Sequence, residues 1–332
     1  MIKYFLFLAA IASIATSFSL VDPITYIYKT VENLNILADV YIPDIAPQDK
    51  YPVVLAMHGG GFVGGTKQGG CSTQELNEML SRGWVVVSVD YRLAPDIILG
   101  DIVQDVQDAY AWIRNDLANI VPLDLDSFIV MGNSAGGGLA VISGYMLSPR
   151  PQAIIAFYPG CTNYTESFEY NSSSPVPEIL VQEMEALMQP LTEYNLTGDA
   201  NDTRSTFFNT AVQDQKVGWM LATHDPNEPA NLILDYLQNY SAVFHIDSSY
   251  PPTVLIHGFD DTLVPHEQSV EMAGCLAKAN VPYRLNLVPG AGHAFDFGNI
   301  TTQVWDDFIL TAFNFAERYL KTSSIVDYDI LQ

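Results

Sequence analysis

Eight short apolar runs recur along this chain, and segments with helical spacing separate most of them. The runs are rich in β-branched residues and mostly continuous, which is typical of strands buried on both faces. Strands that alternate with helices predict an α/β fold with a mostly parallel central sheet flanked by helices. The first two runs have no helix between them and predict an antiparallel edge. The runs lie at residues 24–28, 36–42, 53–57, 84–89, 128–131, 153–158, 254–256 and 285–288.

Residues 162–250 interrupt this alternation. The segment holds 13 acidic residues and two basic ones, and its clearest pattern is an amphipathic helix from Pro177 to Met188. A structureless loop of this length is uncommon in a compact domain. The sequence therefore predicts a largely helical cap at 162–250, inserted into a sheet domain made of residues 18–161 and 251–332.

The N-terminus has the order of a secretory signal peptide. A lysine near the start is followed by an apolar run at 4–14 and by the small residues Ala15, Thr16 and Ser17. We expect residues 1–17 to be cleaved, which predicts localisation to the secretory pathway; a first core strand or helix is the alternative. No stretch reaches the roughly 20 uninterrupted apolar residues of a membrane helix, so we expect no integral membrane anchor.

Sequons and cysteines also bear on export. Three cysteines are too few for a disulfide scaffold. A bridge between Cys71 and Cys161 is left open, and Cys275 is expected to stay free. Six Asn-x-Ser/Thr sequons predict glycosylation on exposed surfaces. They are Asn163, Asn171, Asn195, Asn201, Asn239 and Asn299.

The chain is strongly acidic. It carries 14 Lys and Arg residues against 38 Asp and Glu residues, which gives a formal net charge of -24 at pH 7. A field of this sign repels phosphate backbones and anionic membrane faces. We therefore expect no nucleic-acid partner. The oligomeric state is left open.

The strongest chemical motif is Gly132-Asn133-Ser134-Ala135-Gly136, which follows one predicted strand and opens a helix. A turn this tight admits only small residues two positions on either side of the serine. It holds the serine oxygen at a helix N-terminus, where the helix dipole favours developing negative charge. Ser134 is therefore the predicted nucleophile.

A second motif, His58-Gly59-Gly60-Gly61-Phe62, leaves the end of an earlier predicted strand. Acyl transfer builds an oxyanion that needs preformed backbone N–H donors, and consecutive glycines let the chain bring such donors close. We expect Gly60, Gly61 and Ala135 to be these donors. We expect His58 to brace the loop by hydrogen bonding rather than to act as a base.

Together with Asp90-Tyr91-Arg92-Leu93-Ala94-Pro95, these motifs resemble the hormone-sensitive-lipase-like branch of the α/β-hydrolase superfamily. The similarity covers about residues 50–161 and 250–320 and leaves out the insertion. It implies an α/β-hydrolase domain at 18–161 and 251–332. It also implies carboxylic ester hydrolysis by a Ser, Asp and His triad in that chain order.

The same resemblance indicates the two remaining triad residues. Asp261 occupies the acid position of the superfamily pattern Gly-x-x-Asp-x-x-Val-Pro, and Asp260 is the rival. The Asp-Pro-Leu motif that is usual in this branch is missing from this sequence. His293, in the loop after the last predicted strand, is the predicted base. No histidine has a second ligand at metal-site spacing, so no metal and no cofactor are expected.

These inferences predict a secreted serine carboxylesterase that hydrolyses small-molecule esters of short to medium acyl length through an acyl-enzyme intermediate. The apolar face of the 177–188 helix has two possible roles. It either packs the cap onto the sheet domain, or its Met184 and Met188 form an acyl pocket together with Phe62. Two other functions are left open. One is a serine amidase or peptidase with the same triad, and the other is a catalytically inactive hydrolase-fold binding protein.

Overall fold

The computed structural model describes residues 22–45, 49–165, 170–188 and 203–320. The predicted signal peptide at 1–17 and the sequons at Asn195 and Asn201 lie outside the described residues. Eight strands form one sheet in the order β1-β2-β4-β3-β5-β6-β7-β8. Their bounds are β1 Ile24–Val31, β2 Leu34–Tyr41, β3 Tyr51–Met57, β4 Val85–Val89, β5 Leu123–Asn133, β6 Ala153–Phe157, β7 Thr253–Gly258 and β8 Tyr283–Val288.

Each of the eight apolar runs forms one of these strands, and the expected fold class is confirmed. Strand β2 pairs antiparallel with both β1 and β4, so the antiparallel edge is also confirmed. From β4 to β8 all neighbouring strands are parallel. The carboxyl ends of β3, β5, β6, β7 and β8 therefore meet at one edge of the sheet, where the loops that follow them come together.

Helices cover both faces of the sheet. The helices before the insertion are α1 Thr73–Ser81, α2 Leu99–Asn115 and α3 Ala135–Met146. The insertion carries α4 Glu178–Leu187, α5 Thr203–Gln213, α6 Val217–Ala222 and α7 Ala230–Tyr240. The rest are α8 Glu267–Lys278, α9 Thr302–Val304 and α10 Leu310–Glu317, with a π-helical turn at Trp305–Ile309 between the last two.

Alternate strand residues feed two apolar layers, which explains why the runs are continuous. In β3, Val53 and Leu55 belong to one layer and Val54 to the other, and all three are fully buried. The first layer holds α2, α3 and α8, and the second holds α1 and α10. Buried side chains of α4, α5, α6 and α7 join the first layer. The insertion thus packs directly against the sheet domain, and its separation as a cap stays a prediction.

None of the three cysteines forms a disulfide. The Cys71–Cys161 bridge that the sequence left open is therefore absent. The physical reason is their placement, because Cys161 is buried in the first apolar layer and Cys71 packs against the second. The two cysteines therefore lie on opposite faces of the sheet.

A buried carboxylate ties α2 to the loop after β4. Asp105 of α2 is 0% exposed. The Arg92 guanidinium donates to both of its oxygens at 2.8 Å, and the Arg92 backbone N–H donates to Oδ2 at 3.0 Å. Lys29 of β1 forms a second ion pair with the same carboxylate. Three elements thus depend on one buried negative charge.

We expect Asp105→Asn to lower the free energy of unfolding by about 3 kcal/mol, because removing one partner of a buried ion pair leaves the other charge uncompensated. Denaturant unfolding of the purified variant measures this. Asp116→Asn removes the same charge at an exposed position just after α2 and serves as the control. Its free energy of unfolding should change by less than about 0.5 kcal/mol. Equal stability of the two variants would contradict the role of Asp105.

Candidate active site

Ser134 lies at the turn between β5 and α3, in a backbone conformation that few non-glycine residues adopt. Its φ is 54° and its ψ is -118°. The Ser134 N–H donates to the Phe157 carbonyl at 3.0 Å, which fixes the turn against β6. A Cβ atom on Gly132 would collide with the Gly136 carbonyl, and one on Gly136 would collide with the Met57 carbonyl. The two glycines are therefore steric requirements of this turn.

The structure brings the three predicted triad residues into one hydrogen-bonded chain. His293 Nε2 lies 3.0 Å from Ser134 Oγ. His293 Nδ1 lies 2.7 Å from Asp261 Oδ2. This geometry fits an imidazole that donates its Nδ1–H to the carboxylate and accepts the serine proton at Nε2. We refer to Ser134, His293 and Asp261 as the triad.

Asp261 is buried and strongly hydrogen-bonded. Its Oδ1 accepts the backbone N–H groups of Leu263 and Val264, both at 2.9 Å. The His257 ring nitrogen Nε2 lies 3.3 Å from Oδ2. Burial by itself would raise the pKa of the Asp261 carboxyl, but hydrogen bonds from His257 and His293 outweigh burial and hold that pKa well below its usual range. The carboxyl is thus ionised wherever the triad operates.

Of the two neighbouring acids, only Asp261 reaches His293. Asp260 is exposed, and its backbone N–H is bound to the Ala291 carbonyl at 3.0 Å. His257, which the sequence gave no role, stands behind the acid: its Nδ1 lies 2.7 Å from Ser269 Oγ and its Nε2 lies 3.0 Å from the Val264 carbonyl. The position of His257 at a strand end, four residues before Asp261, is the sequence signal that could have indicated this role.

The glycine loop after β3 lies beside Ser134. Gly60 and Gly61 have φ values of 111° and 63°, in the left-handed region that favours glycine. The Gly60 carbonyl accepts the N–H groups of Val63 and Gly64 at 3.1 and 3.0 Å, which closes the loop into a turn. Both glycines line the same cleft as Ser134 and Ala135. Because Ala135 begins α3, its N–H has no partner within the helix and can serve as a donor.

His58 is buried beneath this loop. Its Nδ1 lies 2.7 Å from the Gly59 carbonyl, and its ring stacks on Tyr91 with 4.1 Å between centroids. The Tyr91 hydroxyl donates to the His58 carbonyl at 2.7 Å. Burial lowers the pKa of His58 to about 4, so the ring is neutral near pH 7. These contacts match the bracing role that the sequence predicts.

An apolar cleft of about 600 Å³, which includes open solvent, extends over Ser134. Phe62 lines it, as predicted. Met184 and Met188 do not. Met184 is 2% exposed in the core between the insertion and the sheet domain, and Met188 is 38% exposed. Packing buries Leu180, Met184 and Leu187 of α4. Neither methionine belongs to the lining of the cleft, so the wall predicted from Met184 and Met188 is not found there.

Helices α5 and α6 supply the wall instead, through Phe208, Val212 and Val217. Helix α5 is held over the cleft by Arg204, which is 1% exposed and donates to the Ala94 carbonyl at 2.7 Å and pairs with Asp96. Phe208 packs so closely on the glycine loop that a Cβ on Gly61 would lie 2.6 Å from its ring. No sequence signal predicted this wall, because the apolar residues of α5 are not gathered on one face of the helix. The remaining lining residues are Gly160, Cys161, Leu263 and Val264.

The described sequons differ in exposure. Asn239 and Asn299 are exposed and Asn171 is partly exposed. Asn163 is 3% exposed, its amide donates to Glu271 Oε1 at 3.2 Å, and its Oδ1 accepts the Thr165 hydroxyl at 2.7 Å. A buried and hydrogen-bonded amide has no room for a glycan, so the glycosylation predicted at Asn163 is contradicted by this packing.

Among residues 22–45, 49–165, 170–188 and 203–320, no three His, Cys, Asp or Glu side chains gather as metal ligands would. No helix within those ranges is both long enough and apolar enough to cross a membrane.

Comparison with known proteins identifies the family. Residues 38–276 match the family model described as BD-FAE. Over 321 residues the chain is 30% identical to the non-reducing polyketide synthase ascC of Acremonium egyptiacum. The aligned region covers 88% of this chain but 15% of that protein. The chain thus spans about 15% of the length of this curated relative.

Solved structures share the fold. Esterase 2 of Thermogutta terrifontis phosphonylated by sarin superposes with a TM-score of 0.64 at 21% identity, covering 91% of this chain and 97% of that chain. The butyrate-bound form of the esterase from the same species gives a TM-score of 0.63 at 22% identity, with the same coverage of the two chains. The eight-stranded sheet and its flanking helices are thus those of an α/β-hydrolase fold.

We expect a fluorophosphonate probe to label Ser134, because His293 can take up its proton. Asp261→Asn should slow labelling by about 10⁴-fold, since an asparagine amide favours the wrong tautomer of His293. Asp260→Asn removes the same charge one residue away and should slow labelling by less than tenfold. Labelling rates and a mass map of the modified peptide measure this. Reversed rates would transfer the acid role to Asp260, and labelling of another serine would exclude Ser134.

Proposed function

Because this chain belongs to the BD-FAE family of the α/β-hydrolase superfamily, we propose that it is a secreted serine carboxylesterase for short to medium acyl esters. The observation that carries the proposal is the unbroken hydrogen-bonded chain of the triad, at the floor of an apolar cleft and beside the glycine loop. A nucleophile, its base and the orienting acid are thereby present in the geometry of covalent acyl transfer.

The reaction follows from the proton positions. Ser134 Oγ attacks the ester carbonyl carbon while His293 Nε2 takes the serine proton, and Asp261 stabilises the resulting imidazolium. The carbonyl oxygen becomes an oxyanion, which accepts hydrogen bonds from the N–H groups of Gly60, Gly61 and Ala135. The intermediate collapses as the C–O bond to the alcohol breaks and His293 gives its proton to the departing oxygen. The product is an acyl-serine ester, and water then repeats the sequence to release the acid.

The lining of the cleft supports an apolar substrate. Apart from the triad, its described walls are aliphatic and aromatic side chains with backbone groups. A negatively charged acyl group would find no cation there and would also meet the chain's net charge of -24. The Thermogutta terrifontis esterase has been solved with butyrate bound, which supports a short acyl chain as substrate for this fold.

Export is the remaining part of the proposal. The charged, apolar and small-residue order of residues 1–17 and the exposed positions of Asn239 and Asn299 support it. Protein recovered from the medium of a eukaryotic host should begin at Phe18, as read by N-terminal sequencing, and should lose mass on treatment with an N-glycosidase. An intact N-terminus in a cell-retained protein would refute secretion.

The central test compares an ester with an amide. We expect rapid turnover of p-nitrophenyl butyrate and turnover of the matching anilide that is slower by more than about 10³-fold, because an amine leaving group needs a better-placed proton donor than an alcohol does. Ser134→Ala should reduce ester turnover by about 10⁴ to 10⁶-fold. Comparable rates on ester and anilide would favour an amidase. A wild-type protein that is inert on both substrates would indicate a binding protein.

The wall of α5 should set the acyl length. Each buried CH₂ contributes up to about 0.8 kcal/mol, so we expect KM to fall from acetyl towards butyryl or hexanoyl esters and then to stop falling. Phe208→Ala enlarges the cleft and should move this limit to longer chains. Met188→Ala truncates an apolar side chain of the insertion outside the cleft and should leave the profile unchanged. An ester series on the three proteins measures this, and an unchanged profile in Phe208→Ala would exclude α5 as the wall.

A further inference from the structure

Two buried acids that interact with one another, one of them close to His293, take no part in the triad. Asp296 follows His293 by three residues and is 3% exposed, and Glu75 of α1 is 0% exposed. The Tyr158 hydroxyl donates to Asp296 Oδ1 at 2.6 Å. The Tyr158 ring centroid lies 4.7 Å from that of His293. Tyr158 thus connects these acids, which we call the acid pair, to the catalytic base.

No Lys or Arg among the described residues forms an ion pair with either member of the acid pair. Glu75 Oε2 accepts the Ser72 N–H at 2.8 Å, but Glu75 Oε1 and Asp296 Oδ2 are buried with no N–H or O–H donor among the described residues. The two carboxyl groups interact directly with one another. Two carboxylates have no proton to donate, and two adjacent unpaired charges are costly to bury. One proton therefore lies between them.

The proton belongs to Glu75. Burial, and then the charge of Asp296, raise the pKa of Glu75 well above its ordinary value. Burial raises the pKa of Asp296 to about 6, against the hydrogen bonds from Tyr158 and Glu75 that lower it. Near pH 7 the pair thus carries one negative charge, on Asp296.

The other titratable groups that face the pair are neutral or belong to the base itself. Burial raises the pKa of the Cys71 thiol and of the Tyr158 hydroxyl, so both keep their protons. The third group is His293, whose charge interacts with Asp296. His293 also contacts Asp261 and Ser134, and His257 contacts Asp261. Asp296 is therefore a second carboxylate that acts on the base.

We propose that Asp296, held ionised by the Glu75 proton and the Tyr158 hydroxyl, is a positioning residue that stabilises the imidazolium of His293 from outside the triad. The inference rests on the proposed function, because the imidazolium forms when His293 takes the proton of Ser134. The Tyr158 ring holds the imidazole in place while its hydroxyl orients Asp296. The negative charge favours the protonated base in the transition state.

The pH profile of kcat/KM on p-nitrophenyl butyrate tests this. Activity requires neutral His293, so kcat/KM has an acid limb on which it rises as the base loses its proton. Asp296→Asn removes the charge and keeps the shape, so the acid limb should move to lower pH by about one unit while the plateau falls about tenfold. Glu75→Gln supplies an amide N–H in place of the shared proton, leaves Asp296 charged and should keep the acid limb in place.

Controls separate charge from folding. Asp260→Asn removes an exposed charge in the neighbouring loop and should leave the acid limb where it is. If Asp296→Asn does not fold, as judged by thermal unfolding, the double variant Glu75→Gln/Asp296→Asn replaces the acid pair with two amides that can bond to each other. It should show the same shift as Asp296→Asn. An unshifted acid limb in a folded protein without the Asp296 charge would overturn the proposal.

An infrared measurement tests the shared proton without any activity. The difference spectrum of wild type minus Glu75→Gln at pH 7.5 should contain the carbonyl stretch of a protonated carboxyl group, sensitive to deuteration. Its absence would overturn the shared proton, whatever the kinetics. If the wild type shows this band but hydrolyses no ester, the result contradicts the proposed function and still supports the shared proton of the acid pair.

Discussion

The strained turn at Ser134 is the constraint on which the site depends. Strand β5 passes into α3 through one residue, and this is possible because Gly132 and Gly136 have no Cβ atoms to strike the neighbouring carbonyls. The turn lifts Oγ above the carboxyl edge of the sheet. Parallel pairing of β3, β6, β7 and β8 brings the glycine loop, Tyr158, Asp261 and His293 to the same edge. A sheet with one antiparallel strand among these would send at least one catalytic loop to the opposite end.

Buried acids in this chain are stabilised in three different ways. Asp105 is neutralised by Arg92 and Lys29 and holds three elements together. Asp261 has no such cation and is stabilised by two backbone N–H groups and two histidines, so its charge remains available to the base. The acid pair uses a proton as its counterion. The first arrangement serves the fold, and the other two place negative charge beside His293.

The insertion both packs against the sheet domain and lines the cleft over Ser134. Leu180, Met184 and Leu187 of α4 are buried in the same apolar layer that covers the sheet. The side chains that face Ser134 come from α5 and α6, and their position is set by the buried pairing of Arg204 with the loop after β4. The position of this cleft wall is therefore coupled to a salt bridge between the insertion and the sheet domain. A change in that loop would alter the cleft without touching the triad.

The amino-acid sequence by itself determined the strands and the catalytic motifs. Apolar runs and glycine spacing are local properties, so the eight strands, the antiparallel edge, the Ser134 turn and the glycine loop could be predicted from neighbouring residues. Asp261 and His293 required a resemblance as well, since they lie more than 100 residues from the serine.

Tertiary structure alone decided which side chains meet. Met184 and Phe208 are both apolar residues on helices of the insertion, and nothing local tells which one is buried in the core and which one faces the cleft. Asn163 has the same sequon as exposed asparagines, yet packing against Glu271 buries it. From the sequence, Glu75 is an ordinary capping-box residue of α1, and only the fold brings it close to Asp296. Each outcome depends on contacts between distant segments, which a local pattern does not encode.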